Sequence, residues 1–176
     1  MRVIGAGLAA AILGLAAPAA AQEITAESWT WKAIGQVEVV DGDTLRMKGV
    51  RIGLLGIDAP ELEQVCYLPG KVPWGCGVAA KVHLEGLIAG REVKCFGDDR
   101  PLDREKQQQA ICHVWGVWHL NSQMVQDGFA MADRRTSARY AGNEAIARDE
   151  RNGLWTSSFV PPWEWRATMR KKRPET

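Results

Sequence analysis

Two short acidic segments carry the residue types best suited to chemistry in this chain, Asp41-Gly42-Asp43-Thr44 and Asp58-Ala59-Pro60-Glu61. Two carboxylates held close together repel each other and raise a pKa unless a cation lies between them. A hard cation such as Ca²⁺ prefers oxygen ligands of this kind, main-chain carbonyls included. Asp43, Asp58 and the carbonyl of Ala59 are therefore candidate metal ligands, and Glu61 is a candidate general base that activates a water.

The same residues also have a purely structural interpretation. Asp-Gly and Asp-x-Pro sequences are typical of turns, because Asp bonds to nearby backbone and Pro fixes φ. From the acidic residues alone, the turn interpretation and the metal site both stay open.

The hydrophobic pattern predicts the strands and helices that would position these segments. Strands are expected over residues 34–40, 44–47, 50–57, 91–96 and 109–117, with a hairpin turn at Lys48-Gly49. Helices are expected over residues 77–89, 121–127 and 138–151, with Gly90 ending the first, Asn121 capping the second and a loop at 62–77. The order predicts an α+β, mainly β fold: a five-stranded antiparallel OB-fold barrel with about three packed helices.

Composition and the first residues indicate one exported globular domain. The chain has 176 residues, 46% hydrophobic and 24% charged, with 22 Lys+Arg against 21 Asp+Glu. These fractions exclude disordered, coiled-coil and collagen-like chains. Residues 1–21 join Arg2, an apolar run and Ala19-Ala20-Ala21, which predicts a cleaved secretory signal peptide rather than a membrane span. The expected product is periplasmic or secreted, lacks a membrane span and is formally neutral, so long-range attraction to nucleic acid is not expected.

The four cysteines, Cys66, Cys76, Cys95 and Cys112, predict two disulfides, because an even number in an exported chain is typical of them. Three pairings are possible, and we favour Cys66–Cys76, which closes a Pro/Gly-rich loop, with Cys95–Cys112, which joins two predicted strands. A zinc site is the alternative. It is disfavoured because the chain has no C-x-x-C pair and its three histidines, His83, His113 and His119, are scattered.

Several motifs, in order, resemble the staphylococcal nuclease (thermonuclease) family. The specific ones are Val40-Asp41-Gly42-Asp43-Thr44 and Leu55-Gly56-Ile57-Asp58-Ala59-Pro60-Glu61, and a weaker one is Gly153-Leu154-Trp155. The resemblance covers residues 36–156, which leaves a lead-in over 22–35 and a Trp/Pro-rich, then basic tail over 157–176. It implies an OB-fold barrel that hydrolyses phosphodiester bonds of DNA and RNA with Ca²⁺. Asp43, Asp58 and the Ala59 carbonyl would bind the ion, and Glu61 would be the base.

The sequence departs from the family pattern at the two arginines that grip the phosphate. By position, the first is replaced by Gly53 and the second by Gln107. Arginine offers a planar, always charged fork that neither replacement supplies. Arg51, on the same face of its strand as Gly53, and Lys106 or Arg104 are the candidate substitutes; the alternative is that they are solvated surface residues.

Two functions from different classes follow. The first is an exported Ca²⁺-dependent nuclease, impaired by the missing arginines, with DNA or RNA as its partner. The second is a non-catalytic member that serves the cell envelope, since some exported relatives are associated with exopolysaccharide (succinoglycan) biosynthesis; its partner would belong to that pathway. A monomer is expected in either case. Trp115 and Trp118 are candidate base-stacking residues, with a core role as the alternative.

Overall fold

A computed structural model of the protein describes residues 31–97, 107–114 and 118–172. The predicted signal peptide over residues 1–21, Arg104, Lys106, Trp115 and the side chain of Trp118 lie outside the described part. The strands are β1 Trp31–Gly35, β2 Glu38–Val39, β3 Thr44–Met47, β4 Val50–Leu54, β5 Ile57–Asp58, β6 Cys66–Leu68, β7 Val72–Trp74, β8 Val93–Gly97, β9 Gln108–Val114, β10 Trp118–His119 and β11 Met131–Ala132. The helices are α1 Cys76–Ile88, α2 Leu120–Gln126, α3 Ala141–Glu150 and α4 Pro162–Lys172.

A curled, mixed β-sheet forms an OB-fold-like half-barrel, so the predicted α+β class is confirmed. Its strand order is β1–β8–β9–β4–β3–β2, with β10 beside β9. One pairing differs from the fully antiparallel sheet predicted from the sequence, because β4 and β9 run parallel with Gly53 opposite Gln109. The chain between them passes through α1 and β8, and such a long crossover allows two strands to run in the same direction.

The predicted hairpin is confirmed as β3 and β4. Its turn residues Lys48 and Gly49 both have positive φ, 50° and 84°. Positive φ at both central residues is typical of a two-residue hairpin turn, whose twist matches that of the two paired strands. The hairpin places Thr44 opposite Gly53, close to the acidic segments.

The core lies between the curled sheet and helices α1 and α2. Helix α1 contributes Ala80, Leu84 and Ile88, which are buried at the i, i+4, i+8 spacing predicted from the sequence. Helix α2 contributes Leu120 and Met124, both fully buried. No helix in the described part of the chain is both long and apolar enough to cross a membrane.

Both favoured disulfides are present. Cys66–Cys76 ties β6 to the start of α1, and Cys95–Cys112 joins β8 to β9. Because all four cysteines are used in this way, the zinc alternative is wrong.

Three local predictions need correction. Strand 34–40 is interrupted after Gly35, and β1 begins at Trp31, inside the expected lead-in, because residues 31–35 pair with β8. The expected loop at 62–77 contains the small antiparallel β6–β7 hairpin. The side chain that caps α2 belongs to His119, whereas Asn121 is buried and bonds to the sheet. The Trp/Pro-rich tail, for which the sequence predicts neither helix nor strand, contains a fourth helix, α4.

Candidate active site

The two acidic segments meet at one end of the half-barrel because two glycines allow close backbone approach. A Cβ on Gly42 would lie 2.7 Å from Cβ of Ala59 and 2.8 Å from Cβ of Ala80. At Gly77, a Cβ would collide with the main chain of Glu61. These contacts press Asp43 and the segment from Asp58 to Glu61 against the start of α1, as the sequence analysis expects for neighbouring acids.

Asp43 occupies an unfavourable place for a negative charge. Its Oδ2 accepts a hydrogen bond from the backbone N–H of Ala59 at 2.6 Å, and its Oδ1 accepts one from the Thr44 hydroxyl at 3.2 Å. Burial raises the pKa of Asp43 well above its ordinary value, and the charges of Asp41 and Asp58 raise it further. A cation beside this carboxylate would stabilise its charged form.

Asp58 and Glu61 already contact a cation, the guanidinium of Arg166 from α4. Its Nη1 donates to Oδ1 of Asp58 at 2.8 Å and to Oε1 of Glu61 at 2.6 Å, and its Nη2 donates to Oδ2 of Asp58 at 2.6 Å. The Asp58 side chain is only 5% exposed, whereas those of Glu61 and Arg166 are 31% and 26% exposed. Both oxygens of Asp58 and one of Glu61 are therefore engaged by the same arginine.

A second arginine lies on the other side of Asp58. Arg135 follows β11, whose Met131 pairs with Asp58, and its Nη2 donates to Oδ2 of Asp58 at 3.1 Å. Its Nε donates to Oδ1 of Asp133 at 2.6 Å, and the guanidinium lies 4.8 Å from the ring centre of Trp163. The hydrogen bond and charge of Asp133 raise the pKa of Arg135, so the group keeps its positive charge.

Most of these groups line an open cavity of about 800 Å³, whereas Glu61 is not among its lining residues. The acidic lining residues are Asp43, Asp58 and Asp133, and the basic ones are Arg135, Arg166 and Arg170. Arg51 does not line this cavity, although it lies on the same strand as Gly53, which does. The role of Arg51 as a substitute stays a prediction.

Gly53 and Gln107, the two positions at which the resemblance implies arginine, are neighbours in the cavity lining. A Cβ on Gly53 would lie 2.5 Å from Nε2 of Gln109 and 3.0 Å from Oε1 of Gln107. Gln107 is 4% exposed, and its Oε1 lies 3.2 Å from the Thr44 hydroxyl oxygen. Neutral amides thus fill the space above Gly53.

Sequence reasoning missed Arg135 and Arg166. Neither arginine is near the acids in sequence. Arg166, for example, contacts Glu61 and Asp58, which lie 105 and 108 positions earlier in the chain. One local signal was available for α4: Pro161-Pro162 ahead of Trp163-Glu164-Trp165 is typical of a helix start, because proline is favoured in the first turn.

Comparison with known proteins identifies the family. A family model described as Staphylococcal nuclease homologue matches residues 51–157. The chain belongs to this family. The matched span includes Asp58, Glu61 and Arg135, whereas Asp43 and Arg166 lie outside it.

Among the relatives of this staphylococcal nuclease homologue is Succinoglycan biosynthesis protein ExoI of Rhizobium meliloti (strain 1021), which is 31% identical over 69% of this chain and 64% of its own length. An Uncharacterized endonuclease of Escherichia coli O157:H7 is 31% identical over 74% of this chain and 82% of its own length. Probable staphylococcal-like nuclease CAN2 of Oryza sativa subsp. japonica is 30% identical over 76% of this chain, which spans only 33% of that protein.

Staphylococcal nuclease homologues generally depend on Ca²⁺, and the donor set at this site suits that ion in its chemistry. Carboxylates and a main-chain carbonyl are the hard oxygen ligands that Ca²⁺ prefers. In the described structure, however, Arg166 engages both oxygens of Asp58 and one of Glu61, so an ion could use these atoms only after Arg166 has moved. The described residues also contain no group of three or more acidic, His or Cys side chains arranged for a metal.

Proposed function

We propose that this staphylococcal nuclease homologue hydrolyses phosphodiester bonds in nucleic acid, weakly compared with members that keep both phosphate-gripping arginines. The observation that carries the proposal is the pairing, in one open cavity, of the carboxylates of Asp43 and Asp58 with the guanidinium group of Arg135. Acids suit water activation or metal binding, and guanidinium groups suit phosphate.

The residues divide between two tasks. Glu61, whose carboxylate is 31% exposed, takes a proton from the attacking water as the new phosphorus–oxygen bond forms and the leaving oxygen departs. Arg135 holds the phosphate in place of the arginines absent at positions 53 and 107.

Calcium would supply a positive charge that polarises the phosphate. Asp43, Asp58 and the carbonyl of Ala59 are the residues that would hold it, once the oxygens of Asp58 are released by Arg166.

Weak activity is expected because one substitute cation, Arg135, is not equivalent to two lost arginines. Arg135 already donates to Asp133 and Asp58, so its fork is partly used before a phosphate arrives. Arginines that act on phosphoryl transition states contribute about 10³–10⁵ in rate in other enzymes. Losing even part of that contribution gives a slow enzyme.

The test is cleavage of plasmid DNA and of RNA by the purified protein, with Ca²⁺ and with chelator. We expect slow Ca²⁺-dependent cleavage that falls about 10²–10⁴-fold in Glu61→Gln, the range typical for removal of a general base. Glu63→Gln is the matched control, because Glu63 is an exposed carboxylate two residues further along. Cleavage that persists in Glu61→Gln, or that is absent from the wild-type protein, would reject the proposal.

A second candidate is a non-catalytic role in exopolysaccharide production in the cell envelope. Its support is the likeness to ExoI, together with the neutral residues at positions 53 and 107. Deletion of the gene followed by measurement of secreted polysaccharide, with complementation by Glu61→Gln, separates the two. Full complementation by that variant favours the non-catalytic role.

Export to the periplasm or the medium is part of the same proposal. The two disulfides support it, because such bonds persist in oxidising compartments. N-terminal sequencing of protein recovered outside the cytoplasm should begin at Gln22. A first residue of Met1 or Arg2 would contradict cleavage of residues 1–21.

A further inference from the structure

The guanidinium of Arg166 lies where the proposed function needs the oxygens of Asp58 and Glu61 to be available. It makes three hydrogen bonds of 2.6–2.8 Å to these two side chains, two of them to the opposite oxygens of Asp58. Two parallel hydrogen bonds from one guanidinium to one carboxylate are stronger and more specific than a single bond. The contact is therefore a specific one between α4 and the acidic segment.

An ion and Arg166 would need the same atoms. Ca²⁺ binds carboxylate oxygens at about 2.3–2.6 Å and takes six to eight ligands. Both oxygens of Asp58 and one of Glu61 face guanidinium nitrogens, so a cation approaching them meets a fixed positive charge. An arginine side chain keeps its proton in proteins, so deprotonation is no route to release.

Helix α4 is only shallowly buried. Pro162 is the one buried residue of the helix, and its last turn carries Arg170, Lys171 and Lys172. The segment before it is held separately, by the side-chain amide of Gln64, which donates to the Val160 carbonyl at 2.7 Å, and by backbone bonds between Tyr67 and Ser158. The helix itself is held by contacts that include those of Arg166 with the acids and of Trp163 with Arg135.

We infer that α4 is an autoinhibitory segment: Arg166 and a divalent cation compete for the carboxylate oxygens of Asp58 and Glu61, and the site accepts the cation only when Arg166 has left. The inference rests on the proposed function, because it assigns a regulatory role at the same acidic site.

The direct test is Ca²⁺ affinity, measured by titration calorimetry without nucleic acid. If the released state of α4 makes up about one tenth of the molecules or less, competition weakens the apparent affinity about tenfold or more. We therefore expect Arg166→Gln to bind Ca²⁺ at least about tenfold more tightly than the wild-type chain. Lys172→Gln, which removes one positive charge from an exposed position of the same helix, should stay within about twofold.

A second measurement needs no variant and so does not depend on the folding of Arg166→Gln. Amide hydrogen exchange over Pro162–Lys172 should speed up when Ca²⁺ is added to the wild-type protein, while exchange in β8 and β9 stays the same. Unchanged exchange in α4 at saturating Ca²⁺ would overturn the inference.

The outcomes separate the inference from the proposed function. Tighter Ca²⁺ binding by Arg166→Gln without any cleavage supports the inference and rejects the nuclease. Weaker or unchanged Ca²⁺ binding together with lower cleavage overturns the inference and makes Arg166 a phosphate-binding residue of a working nuclease. Absence of Ca²⁺ binding in both proteins overturns the inference.

Discussion

Replacement of Asn121 by alanine tests how the segment that carries the acids is held to the sheet. Asn121 is fully buried, and its Oδ1 accepts a hydrogen bond from the backbone N–H of Cys112 at 3.0 Å. Its Nδ2 donates to the carbonyls of Leu55 at 3.0 Å and of Ala110 at 3.1 Å. Because Leu55 lies three residues before Asp58, this one amide fixes the backbone that leads into the acidic segment.

The expected cost follows from the groups that lose their bond to Asn121. The Ala110 carbonyl keeps a bond from the N–H of Leu55 at 2.8 Å. The N–H of Cys112 and the carbonyl of Leu55 lose the partner that Asn121 supplies, and each such buried group costs about 1–3 kcal/mol. Asn121→Ala should therefore lower the free energy of unfolding by about 2–6 kcal/mol.

The assay is urea unfolding followed by tryptophan fluorescence, with Ser122→Ala as the matched control on the same helix. Ser122 loses one partly buried bond, from its hydroxyl to the His119 carbonyl at 3.0 Å, so the control should lose about 0.5–1.5 kcal/mol. A loss below about 1 kcal/mol in Asn121→Ala, or one equal to that of the control, would refute this account of the buried amide.

Three further predictions concern acid sensitivity, the missing arginines and a disulfide. Burial first, then a neighbouring histidine, lowers the pKa of His119 to about 4, so the folded state binds fewer protons than the unfolded state and stability falls as pH drops from about 6.5 toward 4. His119→Asn keeps a side-chain acceptor that can cap α2. It should remove about 1 kcal/mol of the stability lost between pH 7 and pH 5, as measured by urea unfolding at both pH values. An unchanged dependence of the free energy of unfolding on pH would contradict this. Gly53→Arg combined with Gln107→Arg should raise plasmid cleavage about tenfold or more, because the obstructing atoms are side-chain amides; a folded double variant with unchanged cleavage would count against the explanation of the departure. Replacing Cys66 and Cys76 together by alanine should cost about 2–3 kcal/mol in thermal unfolding, from the 10-residue separation they close; an unchanged melting temperature would disprove it.

Local signals predicted the part of the fold that depends on neighbours in sequence. The Lys48-Gly49 turn, the apolar face of α1 and both disulfides could be predicted, because each depends on spacing along the chain. The parallel pairing of β4 with β9 could not, because strand direction is decided by a crossover of about fifty residues. The same limit applies to Asn121, whose side chain suits a helix cap by type but is directed into the sheet by tertiary packing.

The candidate site shows the same division. The motifs placed Asp43, Asp58 and Glu61 together, since a single hairpin and a proline turn join them. The sequence did not predict that Arg135 and Arg166 contact these acids, because both arginines lie in segments that follow the main sheet in the chain. A basic residue in a tail carries no sequence signal for the acid that it will contact.

Because α4 is shallowly buried, access to the acids and the folding stability of the half-barrel can change independently. Opening of this one helix would expose the acids while the half-barrel stays folded, at a free energy well below that of global unfolding. Substitutions along its exposed face could then adjust how often the cavity is open in a population of molecules. Selection could tune that frequency without any change in the melting behaviour of the sheet.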